Sequence, residues 1–499
     1  MLRKIRQTLA LLFFVSITLL FLDFTGTIHA WLGWMAKIQF LPAVLALNVG
    51  VVVLLVALTL VLGRVYCSVI CPLGVMQDLV SRVGSLGKKK KARFSYSPEK
   101  KVLRLTVLVL FVVALVAGVG SFVALLAPYS AYGRIAQNLF SPIYIGINNV
   151  LAYLAERADS YAFYETDVWL RSLPTFIVAA VSLVVIAILA WRGGRTYCNT
   201  ICPVGTVLGL LARHSLFKPV IDTDKCKNCS LCARKCKASC IDYKNHTIDY
   251  SRCVVCLDCL DACKHNAIHY KMRRKKQADT TPKAEAPKTV DTARRSVLTA
   301  TALTLASTAL HATDKKVDGG LAVIEDKKIP ARQTPILPAG AQNSRNFHQH
   351  CTACQLCVSV CPNEVLRPST DLMTLMQPEM SYERGYCRPE CNKCAEVCPA
   401  GAIKPISVAD KSSTQIGHAV WIRQNCLPVS EGVECGNCAR HCPAGAIQMI
   451  PLETGNPESP KVPAVNAERC IGCGACENLC PVRPFSAIYV EGHEKHHTI

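Results

Sequence analysis

The stretch VYCSVICPLGVMQDL, residues 65–79, returns as TYCNTICPVGTVLGL at residues 196–210. Tyr, Cys, Ile, Cys, Pro, Gly and the closing Leu hold the same register in both, and each copy follows a long apolar run. A C-x-x-x-C spacing sets two thiols one helical turn apart, hence on one face. The Pro behind the second Cys lacks an amide hydrogen, which suits the first turn of a new helix. Cys67, Cys71, Cys198 and Cys202 can therefore bring four thiolates to one shared redox-metal or cluster site at the edge of a membrane domain. Two other readings of the four stay open: packing thiols, or a redox dithiol pair. A lasting disulfide does not suit a motif that faces a reducing cytosol.

Four apolar runs have the length of spanning helices: Thr8–Phe24, Pro42–Leu62, Val102–Leu126 and Pro174–Trp191. Their length and lack of charge favour membrane spans over buried helices of a soluble core. Lys and Arg in the flanks fix orientation. Arg3, Lys4 and Arg6 precede the first run; Arg82, Lys88–Lys91, Arg93, Lys100, Lys101 and Arg104 separate the second from the third; Arg192 and Arg195 follow the fourth. These stretches are expected in the cytoplasm, with the loops Trp31–Phe40 and Pro128–Leu173 on the other side. A formal net charge of +21 over 499 residues and a mean hydropathy of +0.26 fit a basic-inside membrane protein. No nucleic-acid motif accompanies the charge, so no nucleic-acid partner is expected. Two spans and a cysteine pair, twice over, make a parallel repeat whose two motifs meet the same leaflet.

The 29 cysteines carry the rest of the argument. "CKNCSLCARKC" supplies Cys226, Cys229, Cys232 and Cys236, and "CVVCLDCLDAC" supplies Cys253, Cys256, Cys259 and Cys263. This is the ferredoxin run in which three close thiolates wrap one [4Fe-4S] cube and the fourth ligates its neighbour. One cluster is thus expected on Cys226, Cys229, Cys232 and Cys263, the other on Cys253, Cys256, Cys259 and Cys236. Zinc sites rarely interlock two such runs. Cys240 is left over and reads as a buried small residue. Lys237 and Lys264 stand where Pro usually follows the fourth cysteine, and positive charge there should raise the cluster potential.

Four more runs fill the C-terminal third: Cys351, Cys354, Cys357 and Cys361; Cys387, Cys391, Cys394 and Cys398; Cys426, Cys435, Cys438 and Cys442; Cys470, Cys473, Cys476 and Cys480. All four end in Cys-Pro, and PAGAI recurs at Pro399 and Pro443. The second and third are stretched before their second cysteine. Disulfides are the alternative in an exported domain, but four tandem runs fit cubane ligation better. Six [4Fe-4S] clusters are the expected complement.

Between the arrays lies KMRRKKQADTTPKAEAPKTVDT, residues 271–292, charged and nearly without apolar side chains, as a flexible linker is. Arg294 and Arg295 then precede a moderately apolar stretch, Val297–Ala312. It reads as an internal twin-arginine export signal, with Ser307-x-Ala309 suited to a signal peptidase; a fifth span is the alternative. A domain already folded around clusters needs an export route that carries folded cargo. The expected fold class is an α-helical membrane domain, four spans plus a signal-like fifth, with two ferredoxin-like α+β iron–sulfur domains. The expected boundaries are 1–215 (membrane domain), 216–270 (cytoplasmic two-cluster ferredoxin), 271–293 (linker), 294–313 (signal or fifth span), 314–345 (periplasmic linker) and 346–499 (periplasmic four-cluster ferredoxin).

On these motifs the chain resembles two families joined end to end. Residues 1–270 resemble the NapH-type membrane ferredoxin of periplasmic nitrate reductase systems, with four spans, two C-x-x-x-C-P motifs and two cluster runs. Residues 293–499 resemble the NapG-type periplasmic polyferredoxin, with a twin-arginine signal and four runs. The usual arrangement has two chains. The resemblance implies an inner-membrane protein that takes electrons from quinol, menaquinol in particular. It would pass them toward a periplasmic molybdenum nitrate reductase or its electron-transfer subunit. Maturation proteins of methylamine dehydrogenase and proteins of nitrous oxide reductase systems are similar too. A maturation or redox-maintenance factor for a periplasmic metalloenzyme is therefore the alternative. By analogy with four-cluster ferredoxin subunits, the first run would trade its fourth cysteine with the fourth run, and the second with the third. Cys351, Cys354 and Cys357 would then pair with Cys480. The sequence has no molybdenum-cofactor site, C-x-x-C-H haem motif or flavin or nucleotide fingerprint, so quinol oxidation is the one enzymatic activity implied. Asp23, His29 and His214 near the span ends could serve quinol or haem, polar interface residues being the plainer reading. The HEKHH of residues 493–497 reads as an exposed tail rather than a metal site.

Overall fold

The computed structural model describes residues 2–23, 26–86, 94–160, 162–272, 317–318, 322–323 and 325–499. The twin-arginine or fifth-span segment at 294–313 lies outside the described residues.

The repeat is visible in the helices. Its first copy runs α1 (Leu2–Leu22), α2 (Thr27–Leu32), α3 (Trp34–Lys37), α4 (Phe40–Leu45), α5 (Val49–Leu62), a π-helical turn Tyr66–Ile70 and α6 (Pro72–Leu86). The second runs α7 (Lys101–Ala117), α8 (Gly120–Leu126), α9 (Pro128–Ile135), a π-helical turn Ala136–Phe140, α10 (Ser141–Glu156), α11 (Leu173–Gly193), α12 (Thr196–Thr200) and α13 (Pro203–Ala212). Two of these, α1 and α11, are long and apolar enough to cross a membrane. At 1.5 Å per residue, each is about 31 Å long.

The other two apolar runs are not single helices. Pro42–Leu62 breaks where Leu47 turns left-handed, at a φ of 52°, and the Asn48 side chain caps α5 by accepting from Val51 N at 3.3 Å. Val102–Leu126 breaks at Gly118, whose φ of 78° ends α7 in a left-handed cap. The stretches expected as outer loops, Trp31–Phe40 and Pro128–Leu173, are largely helical, because each repeat turns back into the bundle. The returning piece meets the tyrosine ahead of a cysteine pair. Tyr66 Oη donates to Gln39 Oε1 at 3.0 Å and accepts from Phe40 N at 3.1 Å; Tyr197 Oη donates to Leu126 O at 2.9 Å.

Two α+β units flank the bundle. In the first, strands Phe217–Ile221 and Ile268–Met272 pair antiparallel, enclosing short helices Leu231–Lys235 and Asp258–Ala262. The second has three antiparallel pairs, the longest joining Thr414–Trp421 to Ile488–Thr498. HEKHH is therefore part of a paired strand, not a loose tail.

The two units sit at opposite ends of the long helices. At the start of α1, Arg3 forms ion pairs with Asp258 (2.9 Å) and Asp261 (2.7 Å) of the first unit. Just past its other end, a β-carbon at Gly26 would lie 3.1 Å from Lys393 Nζ of the second unit. Likewise Arg171 O, before α11, accepts from Arg367 Nη2 of the second unit at 3.0 Å, and Arg195 N, after it, donates to Lys237 O of the first at 2.8 Å.

One carboxylate ties the first end together. Asp78 on α6 takes two 2.9 Å hydrogen bonds from Arg195, with Arg6 at 3.5 Å and Lys237 at 3.6 Å. Burial alone would raise its pKa, but Arg195, Lys237 and Arg6 outweigh burial and hold the carboxyl well below the usual range. Its stabilisation is complete above about pH 4, the unfolded carboxyl value, and is lost as pH falls toward the folded one. Asp78→Asn leaves Arg195 buried without an anion, a loss of about 3–5 kcal/mol, readable as lowered thermal stability in detergent.

Candidate functional site

The four cysteines of the repeated motif converge. All are buried, and Cys71 and Cys202 each lie within electrostatic reach of the other three or of two of them. What joins them is a crossed pair of arginines. Arg64, three residues before Cys67, sets Nη2 3.2 Å from Cys198 O and 3.7 Å from Cys67 Sγ. Arg195, three before Cys198, sets Nη1 2.6 Å from Cys67 O and 3.9 Å from Cys198 Sγ. Gly74 and Gly205 make room: a β-carbon at Gly74 would strike Cys67 O and Arg195 Nη1, and one at Gly205 would strike Cys198 O and Arg64 Nη2. The first pair rides a π-helical turn rather than the expected α-helical one; the second rides α12.

The chemistry of this crown favours anionic sulfur. Burial pushes the Cys71 and Cys202 thiols up. Against that, Cys202 caps α13 and accepts from Gly205 N at 3.3 Å, and Gln77 Nε2 donates to Cys198 Sγ at 3.3 Å. Arg64 is fully buried and meets no carboxylate among the described residues. A buried guanidinium calls for a negative partner. Sulfur ligands of a metal or cluster would supply one.

The other cysteines gather in quartets around cavities. Cys226, Cys229, Cys232 and Cys263 line one, and Cys236, Cys253, Cys256 and Cys259 line a second, as the interlocked runs imply. In the second unit, Cys361 joins Cys387, Cys391 and Cys394, and Cys480 joins Cys426, Cys435 and Cys438. Cys398 lies with Cys351, Cys354 and Cys357, and Cys442 with Cys470 and Cys473, Cys476 being next to both. The fourth cysteines are thus exchanged between the first and second runs and between the third and fourth. This corrects the first-with-fourth and second-with-third exchange that the family analogy implied. The connections between successive runs are of similar length, so it is the packing of Cys361 onto the second run and of Cys480 onto the third, not chain distance, that sets the exchange.

Backbone conformation explains how the loops wrap. Four runs place left-handed residues two and four positions after their first cysteine: Asn228 and Ser230, Val255 and Leu257, Ala353 and Gln355, Gly472 and Gly474. Alternating handedness turns successive N–H groups inward, the concave arrangement that binds anions and iron–sulfur groups. Val255, β-branched at a φ of 51°, is strained there. The two stretched runs do without this pattern. Cys240 is buried as expected, and it also sits 3.5 Å from Cys236 Sγ, its hydrogen bond pulling the Cys236 thiol down. Lys411 Nζ, buried, donates to Cys387 Sγ at 3.2 Å and to Arg388 O at 2.7 Å.

Among the described residues, no three Cys, His, Asp or Glu side chains close on one point as ligands of a single ion do. His29 Nδ1 and Asp23 Oδ2 are 3.0 Å apart in a buried pair, whereas His214 is exposed. In sequence Arg195 is one of the flanking charges, but the repeat marks both arginines: Gly63-Arg64 and Gly194-Arg195 precede Tyr66 and Tyr197 in equal register.

Cysteine-lined cavities, inward-turned amide loops and paired short helices define an iron–sulfur protein of the 4Fe-4S ferredoxin class. Family profiles agree: a 4Fe-4S binding domain matches residues 44–93 and again 174–221, within the two copies of the helical repeat, and a 4Fe-4S dicluster domain matches 433–483. Methylamine utilization ferredoxin-type protein MauM of Methylophilus methylotrophus is 33% identical over 32% of this chain and 72% of its own. Ferredoxin-type protein NapF of Escherichia coli is 30% identical over 32% of this chain and 87% of its own. Ferredoxin-type protein NapG of Haemophilus influenzae is 30% identical over 32% and 63%. No solved structure matches the chain. The chain belongs to the Nap-type ferredoxin family, alongside NapF and MauM.

The exchange of ligands predicts a specific phenotype. Cys398→Ser should abolish the paramagnetic signal of the cluster on Cys351, Cys354 and Cys357, and Cys361→Ser that of the cluster on Cys387, Cys391 and Cys394, each leaving the other's signal intact on reductive titration.

Proposed function

We propose that the protein is a membrane-bound electron carrier that takes electrons from quinol and delivers them to a periplasmic reductase. The observation that carries this reading is the capping of one pair of apolar helices at opposite ends by two different ferredoxin units. Helices about 31 Å long match the hydrocarbon thickness of a bilayer. Their outward side chains, such as Leu12 and Val181, are apolar and exposed. Basic residues cluster at the end occupied by the first ferredoxin unit, which supports a cytoplasmic location for that end and a periplasmic one for the second unit. In this topology α5 and α7 supply the second and third crossings, in broken form.

In this reading, the six cysteine quartets hold six [4Fe-4S] clusters, which when bound supply one-electron steps. The residues around them set the conditions. Lys411 places positive charge beside ligand sulfur, which favours the more negative, reduced state, whereas Lys237 is ion-paired with Asp258 and Asp78. Left-handed loop residues aim amides at the sulfurs. Membership of the Nap-type family supports a nitrate reductase, a molybdenum enzyme, or its electron-transfer subunit as the acceptor. Kinship with MauM, named for methylamine utilization, supports a second reading: a redox-maintenance or maturation factor for a periplasmic metalloenzyme.

One strain separates them. With the gene deleted, the periplasmic reductase should be recovered loaded with cofactor and active with an artificial donor, while menaquinol-driven turnover in membranes is lost. A reductase recovered without cofactor contradicts electron transfer and supports maturation.

A further inference from the structure

Beyond quinol oxidation, we infer that this chain conducts single electrons across the bundle from its first ferredoxin unit to its second, accepting them at the Cys226 quartet from a small acidic one-electron carrier. The inference rests on the membrane reading above but not on quinol.

Contacts link the cysteine sites in series, and a buried guanidinium stands at two junctions inside the bundle. Arg64 Nη1 donates to Ser251 O at 3.1 Å, two residues before Cys253, while its Nη2 lies on Cys67 Sγ and Cys198 O. It therefore bridges the Cys253 quartet and the membrane crown. On the far side of the crown, Tyr197, next to Cys198, donates to Leu126 O, and Arg134 Nη1 donates to Ala124 O at 2.8 Å, two residues away on the same returning helix. Gly133, beside Arg134, lies against Cys354 O so closely that a β-carbon would strike it. Arg134 therefore stands between Tyr197 of the crown and the Cys354 quartet, within electrostatic reach of both.

Neither arginine has a carboxylate among the described residues, and Nε and Nη2 of Arg134 have no hydrogen-bond partner although the side chain is fully buried. An intramembrane cation left in that state is costly and marks an ion or charge pathway. A passing electron is the charge these two positions would stabilise, because Coulomb attraction is strong where the dielectric is low. Beyond Cys354, the line continues through Cys398 and its run-mate Cys387 to Cys473, whose carbonyl accepts from Cys387 N at 2.9 Å.

At the other end, Cys229 is exposed, and Lys225, Lys227, Arg234, Lys235, Lys244 and Lys264 are exposed around that unit. A basic rim about an accessible redox site fits an acidic protein partner and steers its approach. In each transfer the carrier loses one electron, the acceptor beyond the second unit gains one, and no proton need move.

The test uses the full, cluster-loaded chain in quinone-free liposomes with the first unit outside and ferricytochrome c trapped inside. A photoreduced plant-type [2Fe–2S] ferredoxin is added outside. The trapped cytochrome should be reduced. Lys225→Glu with Lys227→Glu should weaken ferredoxin binding and its salt dependence. Arg134→Gln, checked for unchanged iron content and absorption spectrum, should slow cytochrome reduction by about tenfold or more. Cytochrome that stays oxidised while the first unit is bleached by ferredoxin overturns the inference and leaves the membrane reading intact. So does a full rate in Arg134→Gln. Retention of ferredoxin only by anionic lipid, with no reduction of the first unit, also overturns it. Failure of the chain to float with liposomes overturns the membrane reading instead.

Discussion

Two buried arginines, each anchored in one copy of the repeat and spent on the other, hold this molecule in its working arrangement. Arg64 and Arg195 cross between Cys67 and Cys198 and so fix the relative position of the two copies. Gly74 and Gly205 exist to let them pass. Arg195 also takes Asp78, through which α1, α6 and the first ferredoxin unit are joined at one end of the bundle. Neutralising that centre therefore loosens sulfur geometry and domain placement together, since both use the same charges.

From this centre the architecture follows by duplication. A long helix enters, a shorter piece turns back, and a last helix delivers the tyrosine and cysteine pair; the second copy repeats the plan. Irregular backbone recurs in this plan, with a π-helical turn at the first cysteine pair and another, Ala136–Phe140, in the returning part of the second copy, beside buried polar side chains. Irregular backbone of this kind is tolerated at membrane depth where it is enclosed by protein, and inverted or parallel repeats commonly build sites from such discontinuous helices. The ferredoxin units are built on a simpler rule, each pair of runs lending its fourth cysteines to the partner run.

Much of this was legible in the sequence. Cysteine spacing is a short-range code, so the runs could be recognised one by one, and the first unit's interlock followed from it. The repeat of residues 65–79 at 196–210 was enough to suggest a shared site. What the sequence could not convey was long-range. Helix breaks at Leu47 and Gly118 depend on single left-handed residues inside apolar runs, where hydropathy sees no change. The exchange between runs in the second unit departs from the family analogy, because spacing alone does not say which neighbour a fourth cysteine will face. The crossing arginines look in sequence like ordinary flanking charges. Their role depends on a partner 134 residues away for Arg64 and 128 for Arg195.

The central claim is that two iron–sulfur units lie on opposite sides of one membrane, joined by the bundle between them. Sidedness of proteolysis tests it most directly. In right-side-out vesicles, protease should cut the unit of residues 325–499 and spare that of residues 217–272; in inverted vesicles the pattern should reverse. Cleavage of both units from the same face would contradict the account.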